Sequence, residues 1–119
     1  LKRGEGGPTS APDEGRVAGG EPPVTTLGIL AGGQGVIPAL TPLMQDATNG
    51  ALVVWDGTNA GQAVYVTAFS IDATSQTQAQ VYKSGVLNVD ALNWPKSVTT
   101  LSARVAAFVG SPISVQPLR

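Results

Sequence analysis

From Val24 onward the chain alternates short apolar runs with tight polar breaks, and the breaks set the element boundaries. "VTTLGIL" (Val24 to Leu30) is β-branched and apolar, "AGGQG" interrupts it, and "VIPALTPLM" resumes with prolines that forbid a helix. Strand, turn and extended segment is the expected order. "ALVVW" reads as a buried strand, Asp56-Gly57 as a turn, and Thr58 to Gln62 as a loop before "AVYVTAFSI" returns, a hairpin-like unit. In "TQAQVY" Ala79 and Val81 alternate with Gln78 and Gln80, so this third strand has one wet face and the sheet has edges. "YKSG" reads as a turn with Gly85 at its special backbone position.

The period changes near the end. Val98, Leu101, Val105 and Phe108 recur at spacings of three and four, with Ser97 able to cap the start, Gly110 at the C-terminal left-handed position and Pro112 beyond it. These features predict a helix over 97–109. "VDALNW" before Pro95 suggests a short helical turn, and "ISV" a last strand. The fold class is therefore mainly β with one or two short helices, α+β at the margin.

Residues 1–23 are different in kind. They hold six glycines, four prolines and seven of the fifteen charges, and only Leu1 and Val17 are sizeable apolar side chains. Such a segment buries too little to offset its ordering entropy, so a flexible N-terminal arm is expected, followed by one domain over 24–119. Stretched out, the arm would reach roughly 75 Å. At 119 residues the chain has room for one core.

The residue inventory excludes most chemistry. No histidine or cysteine is present, which removes imidazole bases, thiolate nucleophiles, disulfides and the usual zinc ligand sets. Asp46, Asp56, Asp72 and Asp90 are far apart in sequence and sit beside turn-forming residues, as turn and cap aspartates do. "AGGQGVIP" lacks the glycine spacing and following helix of a phosphate-cradling loop. Neither "QDATNG" nor "WDGTNAG" supplies the clustered acids of a calcium loop. Lys83 and Ser84 are adjacent, so on a strand they point to opposite faces and cannot form a base and nucleophile. No catalytic residue, cofactor or metal is expected.

With a net charge of −1 the chain has no field to attract nucleic acid or anionic lipid, and its six aromatics are scattered without interleaved basic residues. No apolar run is long enough to span a bilayer, and "LKRGEGGPTS" lacks a signal-peptide core. Neither nucleic acid nor membrane is an expected partner. Trp55 and Trp94 are expected as core or interface anchors, and Arg104 as either a solvated residue or an ion-pair former across a subunit contact.

Five motifs stand in a recognisable order: "LTPLM" (Leu40 to Met44), "LVVWDGT" (Leu52 to Thr58), "VYKSG" (Val81 to Gly85), "NWP" (Asn93 to Pro95) and "SPISV" (Ser111 to Val115). Over about Ile37 to Val115 the chain resembles the head decoration proteins of lambda-like tailed phages. It departs from the phage lambda pattern in a longer Val24 to Val36 stretch and in the extra "QPLR". The resemblance implies a β-clip-like bent ribbon or small barrel. It also implies a homotrimer on the outer surface of the virion's capsid, made in the host cytoplasm. There it would bind the major capsid protein at threefold and quasi-threefold positions and lock the expanded shell against DNA pressure. Its arm would be mobile when free and ordered on the shell. The shell contacts expected from the arm and the adjoining β-branched residues are Arg16, Val17, Val24, Thr25, Thr26, Leu27 and Ile29, although Val24 to Ile29 equally suit an internal strand. A trimeric tail or baseplate component, or an adhesion β module, is the alternative for a chain of this composition.

Overall fold

The computed structural model describes residue 17 and residues 23–117. Its eight strands are β1 (Val24–Leu30), β2 (Gly35–Ile37), β3 (Pro42–Gln45), β4 (Leu52–Val54), β5 (Tyr65–Thr67), β6 (Ile71–Ala73), β7 (Thr77–Asn88) and β8 (Ile113–Gln116). A 3-10 turn, Val89–Ala91, follows β7, and one helix, α1 (Leu101–Ala107), precedes β8. The expected mainly β class is what forms.

Five strands close on one another in the order β1-β4-β3-β5-β7, because β7 also pairs with β1. The β1–β7 ladder is antiparallel from Val24↔Ser84 to Leu30↔Thr77, with an irregularity after Val24. On its other side β7 pairs with β5, Val66 opposite Tyr82 and Thr67 opposite Val81. Its far half then pairs in parallel with β8, from Gly85↔Ile113 to Asn88↔Gln116. β2 and β6 form a separate two-stranded ribbon.

β7 buries both of its faces because it separates two cores. Val81 points into the ring with Leu30, Leu43 and Leu52, closed at one end by Ile37 and Ala73 of the ribbon. Tyr82 points the other way, with Leu87, into a second core of Trp55, Val66, Val98, Phe108, Ile113 and Val115 beneath α1. The wet face expected of this strand is present over its first residues, where Gln78 and Gln80 are exposed.

Three expectations are corrected. The runs around Asp56-Gly57 do not pair as a hairpin: β4 and β5 flank β3 on opposite sides, Leu43 standing between Val54 and Tyr65. The reason lies in the connection, whose Trp55 and Ala63 are buried and whose Gly61 and Ala63 N–H groups donate to the helix carbonyls of Ala106 and Ala107 at 3.0 and 3.1 Å. That loop satisfies the orphan carbonyls at the end of α1, so it is held under the helix and cannot make a tight turn. "YKSG" is not a turn either, since it lies inside β7 with partners on both edges. Gly85 does hold a special conformation, φ 130°, where β7 passes from β1 to β8, and a Cβ there would lie 3.0 Å from Pro23 Cα.

The helix is shorter than 97–109 and turned differently. Thr100, not Ser97, caps it, its Oγ1 accepting from Ala103 N–H at 3.2 Å. Val98 N–H instead bonds Pro95 O at 2.9 Å, which places residues 95–98 in a turn. Val98 and Phe108 are buried as expected, whereas Leu101 and Val105 are exposed. The periodicity was real but marked two surfaces. Gly110 does adopt the left-handed C-terminal conformation, φ 94°.

Asp46, Asp56 and Asp72 act as turn residues, each accepting from the N–H two residues on, at 2.8, 2.9 and 3.1 Å. Asp90 sits in the 3-10 turn, which Asn88 caps. The Thr74 hydroxyl, donating at 2.7 Å, and then its N–H hold the Asp72 carboxyl below its ordinary value. The Thr58 N–H, then its hydroxyl, lower Asp56 likewise. A folded value below the unfolded one gives stability that is complete above the unfolded carboxylate range and is lost as pH falls through the folded value. Replacing both aspartates with Asn keeps the acceptors and removes the titration. The acid limb of melting temperature against pH should become shallower in the Asp56→Asn, Asp72→Asn variant, and an unchanged limb would refute this assignment.

Candidate functional site

The open edge of β1 is the surface that stands out. One edge is fully used by β7, but the other meets β4 only at Leu30↔Leu52. Beyond that point the edge of β4 is served by a side chain: Gln34 Oε1 accepts from Val54 N–H at 3.0 Å, while its Nε2 donates to Ala31 O and Leu52 O at 2.7 and 3.1 Å. Gln34 thus finishes β4 and leaves the earlier residues of β1 without a strand on that side among the described residues. No signal in the sequence marked Gln34, because an amide within "AGGQG" looks like any loop residue.

Val24, Leu27 and Ile29 stand exposed on this strand, Leu27 at 62%. Thr26 and Gly28 alternate with them toward the ring, and a Cβ at Gly28 would lie 2.7 Å from Leu52 Cδ1, so Leu52 packs directly on the backbone there. A groove of about 220 Å³ runs beside the strand between Leu27, Ile29, Gly50, Gln45 and Tyr65. It leads, across Gln45 and Tyr65, into a second groove of about 290 Å³ bounded by Lys83 and Gly110 to Pro112. The strand has neither an outward lysine nor a central proline, two of the devices that usually blunt an edge.

Each expected contact residue has a place. Val24, Thr25, Thr26, Leu27 and Ile29 all lie on β1, so they are an internal strand and an exposed edge at once. Val17 forms an antiparallel bridge with Leu87, farther along the same β7 that pairs with β1. Arg16, with most of the expected arm, lies outside the described residues.

The tryptophans and Arg104 form a different site. Trp55 and Trp94 meet edge to face at 6.3 Å, and Trp94 meets Phe108 the same way at 6.1 Å. Trp94 Nε1 donates to Val89 O at 2.8 Å, whereas the buried Trp55 Nε1 has no partner among the described residues. Arg104 is half-buried: its guanidinium lies 5.6 Å from the Trp94 ring centre and its Nε donates to Val98 O at 3.2 Å. Gly57, φ 80°, tucks the Asp56 turn against this cluster, where a Cβ would lie 2.8 Å from Ser97 Oγ and 2.9 Å from Val98 Cγ2. Nearby, Thr67 Oγ1 accepts from Thr41 N–H and donates to Pro38 O, and Asn93 Nδ2 donates to Ala39 O at 2.6 Å. The "LTPLM", "WDGT" and "NWP" motifs are therefore packing and hydrogen-bonding parts of one body.

No cluster of three or more His, Cys, Asp or Glu side chains comes together among the described residues. A small β body with a packed core and an unpaired apolar strand edge defines a class of protein, a module that attaches to another protein surface. The chain matches the family model of the bacteriophage lambda head decoration protein D over residues 10–114, and it belongs to that family. It is 41% identical over 99 residues to the head decoration protein of Enterobacteria phage P21, covering 83% of this chain and 84% of that one. It is 45% identical over 78 residues to a putative decoration protein of Escherichia phage N15, covering 66% of this chain and 70% of that one. Its function is phage capsid decoration, on the outside of the head.

Truncating Trp94 to Ala should cost ~3 kcal/mol, since it removes both ring contacts and the platform under Arg104. Gly57→Ala should cost ~2 kcal/mol through its left-handed backbone and the clash with Ser97 and Val98. Urea unfolding of each variant measures these losses, and stability within error of the parent protein would show that the cluster does not brace the body.

Proposed function

We propose that the protein cements the expanded head as a homotrimer, seated at threefold and quasi-threefold positions and gripping the major capsid protein through its N-terminal arm and β1. The observation that carries this reading is the open edge of β1, Val24 to Ile29, lying directly after the arm. An extended segment of the shell added to that edge gains main-chain hydrogen bonds and covers Leu27 and Ile29. No catalytic role is assigned to the protein.

Magnitudes explain why several grips are needed. A six-residue strand addition gains ~6 hydrogen bonds at a net ~1 kcal/mol each, while ordering its backbone costs ~1–2 kcal/mol per residue. One grip roughly breaks even. Three grips on one trimer act at high effective concentration, so they hold firmly only where three acceptor segments are correctly spaced. An unexpanded shell spaces them wrongly and is left bare.

Deleting residues 1–23, or replacing Leu27 with Glu on the exposed side of β1, should leave a folded body that no longer co-sediments with expanded empty heads. Normal uptake of both variants would remove the proposed grip. Equal uptake of the parent protein by compact and expanded heads would remove the dependence on lattice spacing.

A further inference from the structure

The turn between β3 and β4 carries chemistry that attachment to a shell does not use. Asn49-Gly50 is the one asparagine–glycine pair in the chain, and both residues are exposed. The turn is closed by Asp46 N–H donating to Ala51 O at 2.7 Å and by Gly50 N–H donating to Asp46 O at 2.8 Å. Within it the Asn49 side chain curls forward over its own backbone, its Oδ1 accepting from Ala51 N–H at 2.9 Å. A side chain that closes this bond brings its carbonyl carbon alongside the intervening Gly50 nitrogen. Gly50 has no Cβ to block the approach and stands at φ 76°, with nothing within 4 Å of a would-be Cβ.

The same hydrogen bond activates the amide. Negative charge develops on Oδ1 when a nucleophile adds to its carbon, and Ala51 N–H already donates to that oxygen. The restraint is the bond from Gly50 N–H to Asp46 O, which lies in an exposed turn, where hydrogen bonds open most readily. Comparable positions lack this combination. Asn88 also accepts from the N–H two residues on, that of Asp90 at 3.1 Å, but it is buried and precedes the buried, β-branched Val89. Asn93 is tied through Nδ2 to Ala39 O and precedes Trp94. Asp56 precedes Gly57 and accepts from Thr58 N–H, yet it offers a carboxylate rather than an amide, and Gly57 is packed against Ser97 and Val98.

We infer that Asn49 is a site of spontaneous deamidation, a self-modification in which the Gly50 nitrogen attacks Asn49 Cγ. The N–Cγ bond forms, the Cγ–Nδ2 bond breaks, and ammonia leaves with the proton from Gly50, giving a cyclic imide. Water then opens the imide at either carbonyl. The product is Asp at position 49 or its isoaspartyl isomer, in which the main chain runs through Cγ. Either product adds one negative charge to the net −1 of the chain. That charge falls beside Asp46, in the groove of about 480 Å³ that Asn49 and Gly50 share with Ile29 of β1. Its effect on attachment rests on the β1 grip proposed above: an acid beside the exposed edge weakens the docking of an apolar shell segment.

Incubation of the full chain at mildly alkaline pH, which eases removal of the Gly50 proton, followed by peptide mass spectrometry, tests the reaction. Asn49 should gain the mass of an amide-to-acid exchange at least ~10-fold faster than Asn59, which has neither the donor nor the glycine. The product should also accept a methyl group from a protein isoaspartyl methyltransferase. Gly50→Ala fits the open space but crowds the attacking nitrogen, so it should suppress the conversion; equal conversion overturns Gly50 as the nucleophile. An Asn49 that stays an amide in the folded chain while the urea-unfolded chain loses it overturns the site, since the Asp46 bond then guards the turn. These readouts need no heads, so they are independent of the proposed grip. The acidic form, separated by anion exchange, should co-sediment less with expanded heads than the unmodified chain. Equal uptake of the two forms, with Leu27→Glu still failing to bind, overturns the effect on the edge and leaves the reaction standing.

Discussion

The molecule hangs on β7. A strand in the middle of a sheet must find partners for donors and acceptors on both edges, and β7, twelve residues long, does so over much of its length by changing neighbours. β1 takes one edge while β5 and then β8 take the other, and Val17 bridges the edge beyond β1. With Val81 facing one core and Tyr82 the other, this strand fixes where both cores lie. Gly85 allows the handover, since its backbone conformation and lack of a Cβ let Pro23 lie against the strand.

That arrangement divides the surface into a braced side and an adhesive one. The Trp55–Trp94–Phe108 cluster, the Gly57 turn and the Thr41–Thr67 pair hold the body rigid, and they coincide with the motifs that reveal the family. The unpaired edge of β1 and the outward face of α1 lie outside those motifs. A rigid body suits the proposed multivalent grip, because flexibility between grips lowers their effective concentration.

Strand addition, the attachment proposed for β1, makes few demands on its partner. Pairing along an edge needs only an extended backbone, so it tolerates variety in the shell segment and depends on position in the lattice.

The amino-acid sequence by itself determined the strand-rich class, the α1 segment, the turn aspartates and the family, because each depends on local chemistry or on ordered motifs. It also determined the absence of histidine and cysteine chemistry. Only the tertiary structure decided that β4 and β5 flank β3, that "YKSG" runs through a strand, and that Arg104 lies over Trp94. Alternation and period tell which side of an element is apolar, but not which distant element will cover it. Val98 and Leu101 carry the same signal in sequence, and the fold buried one and left the other in solvent. The open edge of β1 exists for the same reason: whether a strand has one neighbour or two is settled by chain segments far away, here by Gln34 completing β4 in its place.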